Sequence, residues 1–281
     1  IIVDEASMID DGMYRDLLQY NIPTLFVGDP GQLPPVKGRS IHSMLESKNV
    51  LRTIHRQALE NPIIELAHRV RQKKKIPYDI FGVQNQVGRF KKGSEIARKC
   101  EMNFMKKFAN PQDIDAIILC PTNNQRISLN TQTRNMSGRT SPYPEVGEQI
   151  VCLANNKKSG FRNGQLLIVT GRDDEPILEN YIRLEVMEPI YNKKLTVLAY
   201  TPIFNDSKPN KITEYLVTKE EEFAEVSTHL ELPIHLFDFG YALSVHKSQG
   251  SEWDRVVLYD NKSLLNMFLK GVPISNYLKG G

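Results

Sequence analysis

Apolar residues come in short blocks along this chain, each cut off by carboxylates, glycines or prolines. Residues 1–3 (IIV) run directly into Asp4-Glu5, which predicts the end of a buried strand that delivers carboxylates at its C-terminal edge. Helical spacing follows over 6–20, and TLFV at 24–27 predicts a second short strand ended by the turn-forming GDPG of 28–31. Strand, helix, strand with polar groups at the strand ends is the arrangement of an open α/β sheet, where ligands bind beyond the carboxyl ends of the strands. Residues 61–70 (NPIIELAHRV) predict an amphipathic helix with Pro62 in its first turn. Residues 114–120 (IDAIILC) predict a buried strand, followed by a helix over 124–133, so a second α/β domain is expected. Residues 145–200 alternate instead, with strands at 149–153, 165–170 and 195–199 and turns at 162–164 and 172–174, the texture of a small inserted β-barrel. The α/β pattern resumes at Phe237 and ends in the strand 255–259; residues 263–281 carry no usable motif.

With 281 residues the chain can bury more than one core, and two modules are the starting expectation. Hydrophobic residues at 40% and charged residues at 25% exclude disorder, and no apolar run approaches a membrane span. Cys100, Cys120 and Cys152 are widely spaced, which suggests neither disulfides nor a zinc site and fits a cytoplasmic setting. The chain starts at Ile1 without Met or a charged leader and reads as a fragment. The formal charge of 36 − 33 = +3 is too small to point to nucleic acid. Basic clusters such as RVRQKKK at 69–75 gain weight only beside stronger motifs.

Those motifs begin with Asp4-Glu5. An apolar strand ending in two acids is a Walker B pattern, in which Asp4 can hold the waters around Mg²⁺ and Glu5 can orient and deprotonate an attacking water. Alone it is also how many strands end. The loop GDPGQLPPV at 28–36 changes the weighing, because it places Gln32 on a proline-stiffened turn beyond a neighbouring strand. A planar amide can accept from the attacking water and donate to a phosphoryl oxygen.

Residues 2–9 and 28–36 resemble motifs II and III of superfamily 1 helicases, and LRTIHRQ at 51–57 resembles their motif IV. YALSVHKSQGSEWD at 241–254, the most specific stretch, resembles motif V of the RecD/Dda-type DNA helicases of superfamily 1B, with a UvrD-like C-terminal motor domain. The resemblance implies ATP as substrate, Mg²⁺ held through water by Asp4, and catalysis by Asp4, Glu5, Gln32 and Arg56, the last as an arginine finger. It places Gly250 and Glu252 near the nucleotide. It implies contacts to single-stranded DNA from Pro34, Thr122, Asn123, Ser244, His246, Lys247 and Gln249; Thr122 or Asn123 would equally serve as a helix N-cap. The implied fold is α/β: RecA-like P-loop NTPase motor domains, the first partial (1–48), the second formed by 49–145 and 233–281, with an SH3-like barrel inserted at 146–232. Phe161, Tyr181 and Tyr191 are conceivable stacking residues of that barrel, though aromatic side chains more often pack in the core.

The pattern departs from the family twice, having no Gly-x-x-x-x-Gly-Lys-Ser/Thr loop and no Thr-Arg of motif VI after Asp260. The expectation is a monomeric motor that moves 5′ to 3′ in replication, recombination or repair, in a phage or a bacterium, with this chain inactive by itself. Other replication or recombination proteins are conceivable partners. The competing readings are a degenerate nucleic-acid-binding scaffold and an RNA helicase of the same superfamily.

Overall fold

The parallel pair β1 (Ile2–Val3) and β2 (Leu25–Phe26) opens the chain, in register Ile2↔Leu25 and Val3↔Phe26. The computed structural model describes residues 1–35, 38–41, 49–51, 61–82, 86–108, 115–204, 211–249, 251–259 and 264–269. They fall into two compact units, Ile1–Lys75 and Ile76–Gly281.

In the first unit, the helix expected over 6–20 starts late. Residues Ala6–Met8 form a 3-10 turn with Ala6 and Ser7 buried, and α1 (Asp11–Gln19) begins where the Asp10 carboxylate accepts from the Met13 N–H at 2.8 Å. A side-chain cap of that kind satisfies a backbone donor only at a true helix start, so Asp10 sets the boundary. α2 (Pro62–Arg71) is capped by Asn61, with Pro62 at its first position, where the missing N–H is harmless. The first unit extends through α2, whose Arg71 bonds Asp29 of the same unit through both of its terminal nitrogens.

The second unit contains two sheets among its described residues. One runs in the order β12 (Ala242–Ser244), β5 (Ala116–Cys120), β13 (Arg255–Tyr259), β14 (Leu264–Leu269), β4 (Gln86–Lys91) and β3 (Ile80–Phe81). β12, β5 and β13 are parallel neighbours and the rest pair antiparallel. In β5, Ala116, Ile117, Ile118 and Cys120 are all buried, as a central parallel strand covered on both faces requires. Helices α3 (Glu95–Phe108) and α4 (Asn123–Met136) accompany this sheet.

The other sheet is an antiparallel meander of β6 (Gln149–Cys152), β7 (Leu166–Arg172), β8 (Tyr181–Glu188) and β9 (Lys193–Tyr200). β10 (Ile234–His235) pairs with β9 at one edge, and β11 (Phe237–Phe239) pairs with β6 at the other. Only Leu236 separates β10 from β11, so one stretch of chain joins both edges and the sheet must curl on itself; the Leu153 N–H donates to the Leu236 carbonyl at 2.9 Å. Its interior is Ile150, Leu167, Val169, Leu184, Val197 and Phe237, none more than 1% exposed. Gly240 lets the chain leave β11 tightly, since a Cβ there would meet the Ile150 backbone at 3.0 Å.

Two helices within the expected barrel segment were not anticipated, α5 (Lys211–Thr218) and α6 (Glu220–His229). They add Tyr215 and Phe223 to an aromatic cluster with Tyr181 and Tyr200, whose ring centroids lie 5.2–6.3 Å apart. The Tyr181 hydroxyl donates to Glu222 at 2.6 Å. Tyr181 and Phe161 are 3% and 2% exposed, so both pack in the core and neither is available for stacking; Tyr191 alone of the three stays outside. Among the described residues no helix is long and apolar enough to cross a membrane.

Candidate functional site

In the first unit the backbone aligns two strand ends. Val27 donates to the Val3 carbonyl at 2.8 Å and Ala6 to the Val27 carbonyl at 2.9 Å, so Asp4-Glu5 and the loop beginning at Gly28 leave the pair on one edge. Asp4 and Glu5 are exposed there. One Asp4 oxygen accepts from the Glu5 N–H at 2.8 Å, and Glu5 lies in the left-handed region at φ 52°. A side chain there costs about 1–2 kcal/mol, a strain that tertiary contacts must hold. Buried Ser7, two residues on, donates its hydroxyl to Gln32 Oε1 at 3.3 Å, drawing the amide of the second motif to the turn of the first. Ser7 is itself held by Ser40, whose hydroxyl donates to the Ser7 carbonyl at 3.2 Å.

The loop carrying Gln32 is clamped. Asp29 Oδ1 accepts from the Gly31 N–H at 2.8 Å, the Asp29 carbonyl accepts from the Gln32 N–H at 3.0 Å, and Arg71 Nη1 donates to Asp29 Oδ2 at 2.9 Å while Nη2 bonds Oδ1. A Cβ on Gly31 would sit 2.8 Å from Arg71 Nε, so a larger residue there would push the Arg71 side chain away from its present position. Sequence reading placed Arg71 only within a basic cluster; its role needs the long-range pairing with Asp29. Pro34 is exposed beyond Gln32. Arg56 and the rest of the motif-IV-like stretch after Leu51 lie outside the described residues, as does Gly250.

A lone carboxylate with waters and phosphates completing the shell is how Mg²⁺ is commonly held. Asp4 fits that use, being exposed at the end of β1 with one oxygen bonded to the Glu5 N–H. Among the described residues no group of three His, Cys, Asp or Glu side chains forms a metal cage.

The second unit gathers most of the other expected residues. Thr122 caps α4 by accepting from the Gln125 N–H at 3.3 Å. Asn123 Oδ1 accepts from Arg126 Nε at 2.7 Å, and Arg126 forms a buried ion pair with Asp238 at 2.5 Å. Neither Arg126 nor Asp238 was singled out from sequence, because nothing local marks residues 112 positions apart as partners. β12 lies beside β5 with Ser244 opposite Cys120, so the 244–249 turn emerges next to Thr122 and Asn123. That turn closes through Lys247 and Ser248 donating to the Ser244 carbonyl at 2.9 and 3.2 Å. His246 is half-buried in it. The Lys247 side chain is exposed but set in a concave wall; partial loss of water, and then the neighbouring Arg126 guanidinium, hold its ammonium below the usual lysine range. Gln249 lines a cleft of about 530 Å³ with Lys247, and exposed Glu252 lines an adjoining one of about 370 Å³.

With that geometry in view, the chain can be set beside known proteins. Residues 1–95 match the family described as AAA domain. The ATP-dependent RecD2 DNA helicase of Deinococcus radiodurans is 39% identical over 74 residues, 24% of this chain, and the stretch spans about 10% of that relative's length. In three dimensions the chain aligns over 92% of its length with a solved structure of two coordinating Pif1 helicases at forked double-stranded DNA, at 14% identity and a TM-score of 0.43, covering 62% of that chain. Unliganded Pif1 from Bacteroides sp aligns at 12% identity and a TM-score of 0.31, with 92% of this chain and 69% of that one covered. The chain is therefore similar in sequence to an AAA domain over the segment that carries Asp4-Glu5 and Gln32, and over 74 residues to an ATP-dependent DNA helicase.

Proposed function

We propose that this chain supplies hydrolytic and strand-gripping parts of an ATP-dependent DNA helicase of the RecD/Dda type, moving 5′ to 3′ on single-stranded DNA in replication, recombination or repair. The observation that supports the reading is the Ser7–Gln32 hydrogen bond, which ties the Gln32 amide to the turn that follows the paired carboxylates at the end of a parallel strand pair. Glu5 orients and deprotonates the attacking water. Gln32 holds that water and reports whether a γ-phosphate is present. Mg²⁺, held through water by Asp4, would neutralise the charge of the phosphates. Arg56 supplies bidentate donors to the transferring phosphoryl group. Glu252 and Gly250 flank the nucleotide.

On the strand side, Pro34, Thr122, Asn123, Ser244, His246, Lys247 and Gln249 contact single-stranded DNA, mostly through its backbone. The Arg126–Asp238 pair supports this reading by fixing Asn123 at one end and neighbouring Lys247 at the other. We assign 1–48 to a first RecA-like domain, 49–145 and 233–281 to a second, and 146–232 to an SH3-like barrel. The curled sheet supports the last assignment, being a meander whose two edges are joined through Leu236.

The test is Mg²⁺-dependent ATP hydrolysis, with and without oligothymidylate, by protein carrying these residues. Glu5→Gln is expected to lower strand-stimulated turnover at least 100-fold, roughly the loss of a positioned general base, while strand affinity holds. Turnover equal to that of the unsubstituted protein would overturn the assignment.

A further inference from the structure

The two adjoining clefts of the second unit share Gly164, Gln165, Glu188, Tyr191 and Ser251, and among these Tyr191 is an aromatic ring that the proposed function leaves unused. The larger runs between the 160–165 turn, Tyr191 on the β8–β9 hairpin, and Lys247 with Gln249. The smaller shares Tyr191 and extends to Trp253. Tyr191 is 83% exposed, and Ile190 beside it is 82% exposed.

This hairpin tip is locked. The Glu188 side chain, 5% exposed, accepts from the Ile190 N–H at 3.2 Å and the Tyr191 N–H at 2.7 Å, and Asn192 completes the turn at φ 53°. An aromatic ring on a fixed backbone gives up little freedom when something stacks on it, which favours binding. Nothing in the fold needs the ring outside, since the sheet interior is already filled by Ile150, Leu167, Val169 and Phe237.

The wall around the ring is basic. Arg162, Lys193 and Lys247 line the larger cleft, against the single carboxylate of Glu188, whose oxygens are already taken by two backbone N–H groups. The Gln249 Oε1 is buried in the same wall with no hydrogen-bond partner among the described residues. Partial loss of water and the Arg126 guanidinium hold the Lys247 ammonium down, so an anion placed there would be welcomed. Cations beside an exposed aromatic face suit a phosphate backbone with unpaired bases, because a base within a duplex keeps both faces covered.

We propose that Tyr191 is a base-stacking residue for single-stranded nucleic acid, with the sugar-phosphate backbone passing Arg162, Lys193 and Lys247. The inference rests on the strand-binding reading above and deepens it, by placing one unpaired base on the β8–β9 hairpin.

Trp253 is the single tryptophan of the chain and lines the smaller cleft, so its fluorescence reports occupancy during titration of the full chain with a short oligothymidylate. Tyr191→Ala is expected to weaken binding about ten-fold, the equivalent of ~1.4 kcal/mol. Tyr191→Trp, followed by the anisotropy of a labelled oligonucleotide, retains affinity. An abasic deoxyribose-phosphate oligomer of equal charge binds unsubstituted chain and Tyr191→Ala alike. Circular dichroism confirms that so exposed a substitution leaves the fold intact. Oligothymidylate affinity unchanged in Tyr191→Ala overturns the stacking site, as does an equal loss for the abasic oligomer. Binding of neither oligomer by the unsubstituted chain overturns instead the strand-binding reading beneath it.

Discussion

Glu148 has no exposed surface, and its removal is the sharpest perturbation the structure offers. Oε1 accepts from Arg134 Nε at 2.8 Å and from the Tyr241 hydroxyl at 3.0 Å, while Oε2 accepts from Arg134 Nη2 at 3.0 Å and the Glu145 N–H at 2.8 Å. Arg134 is also buried, with its guanidinium 3.9 Å from the centroid of Phe239. Glu148→Ala leaves that buried cation with only the more distant Glu145 carboxylate, 4.0 Å from Nη2, and the loss of its close counter-charge costs about 3–5 kcal/mol. At roughly 2–4 °C per kcal/mol for a domain of this size, the melting temperature falls by about 6–20 °C. Trp253 packs against a core cluster of the same unit, so thermal unfolding followed by its fluorescence reads the local event. Replacing both partners, Glu148→Leu with Arg134→Met, recovers most of the loss, because the stranded charge is gone. A single variant melting within about 2 °C of the unsubstituted chain, or a double variant as unstable as the single, would refute the reasoning.

Two more predictions concern titratable groups. His235 is 3% exposed, stacked on Phe237 with centroids 5.2 Å apart and 5.5 Å from Phe161, and burial lowers its pKa from 6.5 to about 4. Between those values the unfolded chain carries the proton and the folded chain does not, so stability falls as pH drops from about 6.5 to about 4, by up to roughly 3 kcal/mol. His235→Phe flattens that part of the stability profile; an unchanged slope in denaturant titrations contradicts the account. The thiols of Cys100 and Cys120 are pushed up to about 11 and that of Cys152 to about 12, in each case chiefly by burial. A thiol-specific reagent at mild pH therefore labels the native chain far more slowly than the denatured chain, and rapid native labelling counts against it.

Much of the candidate site is legible along the chain because its markers are local. An apolar strand must end where charge begins, so 1–5 and 24–31 announce two strand ends and the polar groups they deliver. The same holds for β5, whose unbroken apolar run states burial directly, and for Thr122, a helix cap recognisable beside its helix. Residues 211–229 were harder to read. Their charged, amphipathic helices follow a stretch of alternating strands, and the fold holds them by aromatic contacts to Tyr181 and Tyr200.

By itself, then, the sequence determined the carboxylate pair, the glutamine loop, and the switch from α/β pattern to alternating strands and back, since each depends on neighbours within a few positions. Tertiary structure alone decided that Ser7 draws in Gln32, that Arg71 clamps Asp29, that Asp238 holds Arg126, and that Phe161 and Tyr181 face inward while Tyr191 faces out. Charge pairs and burial form between residues brought together from far apart in the chain, and spacing along a sequence carries no record of which distant partner will arrive.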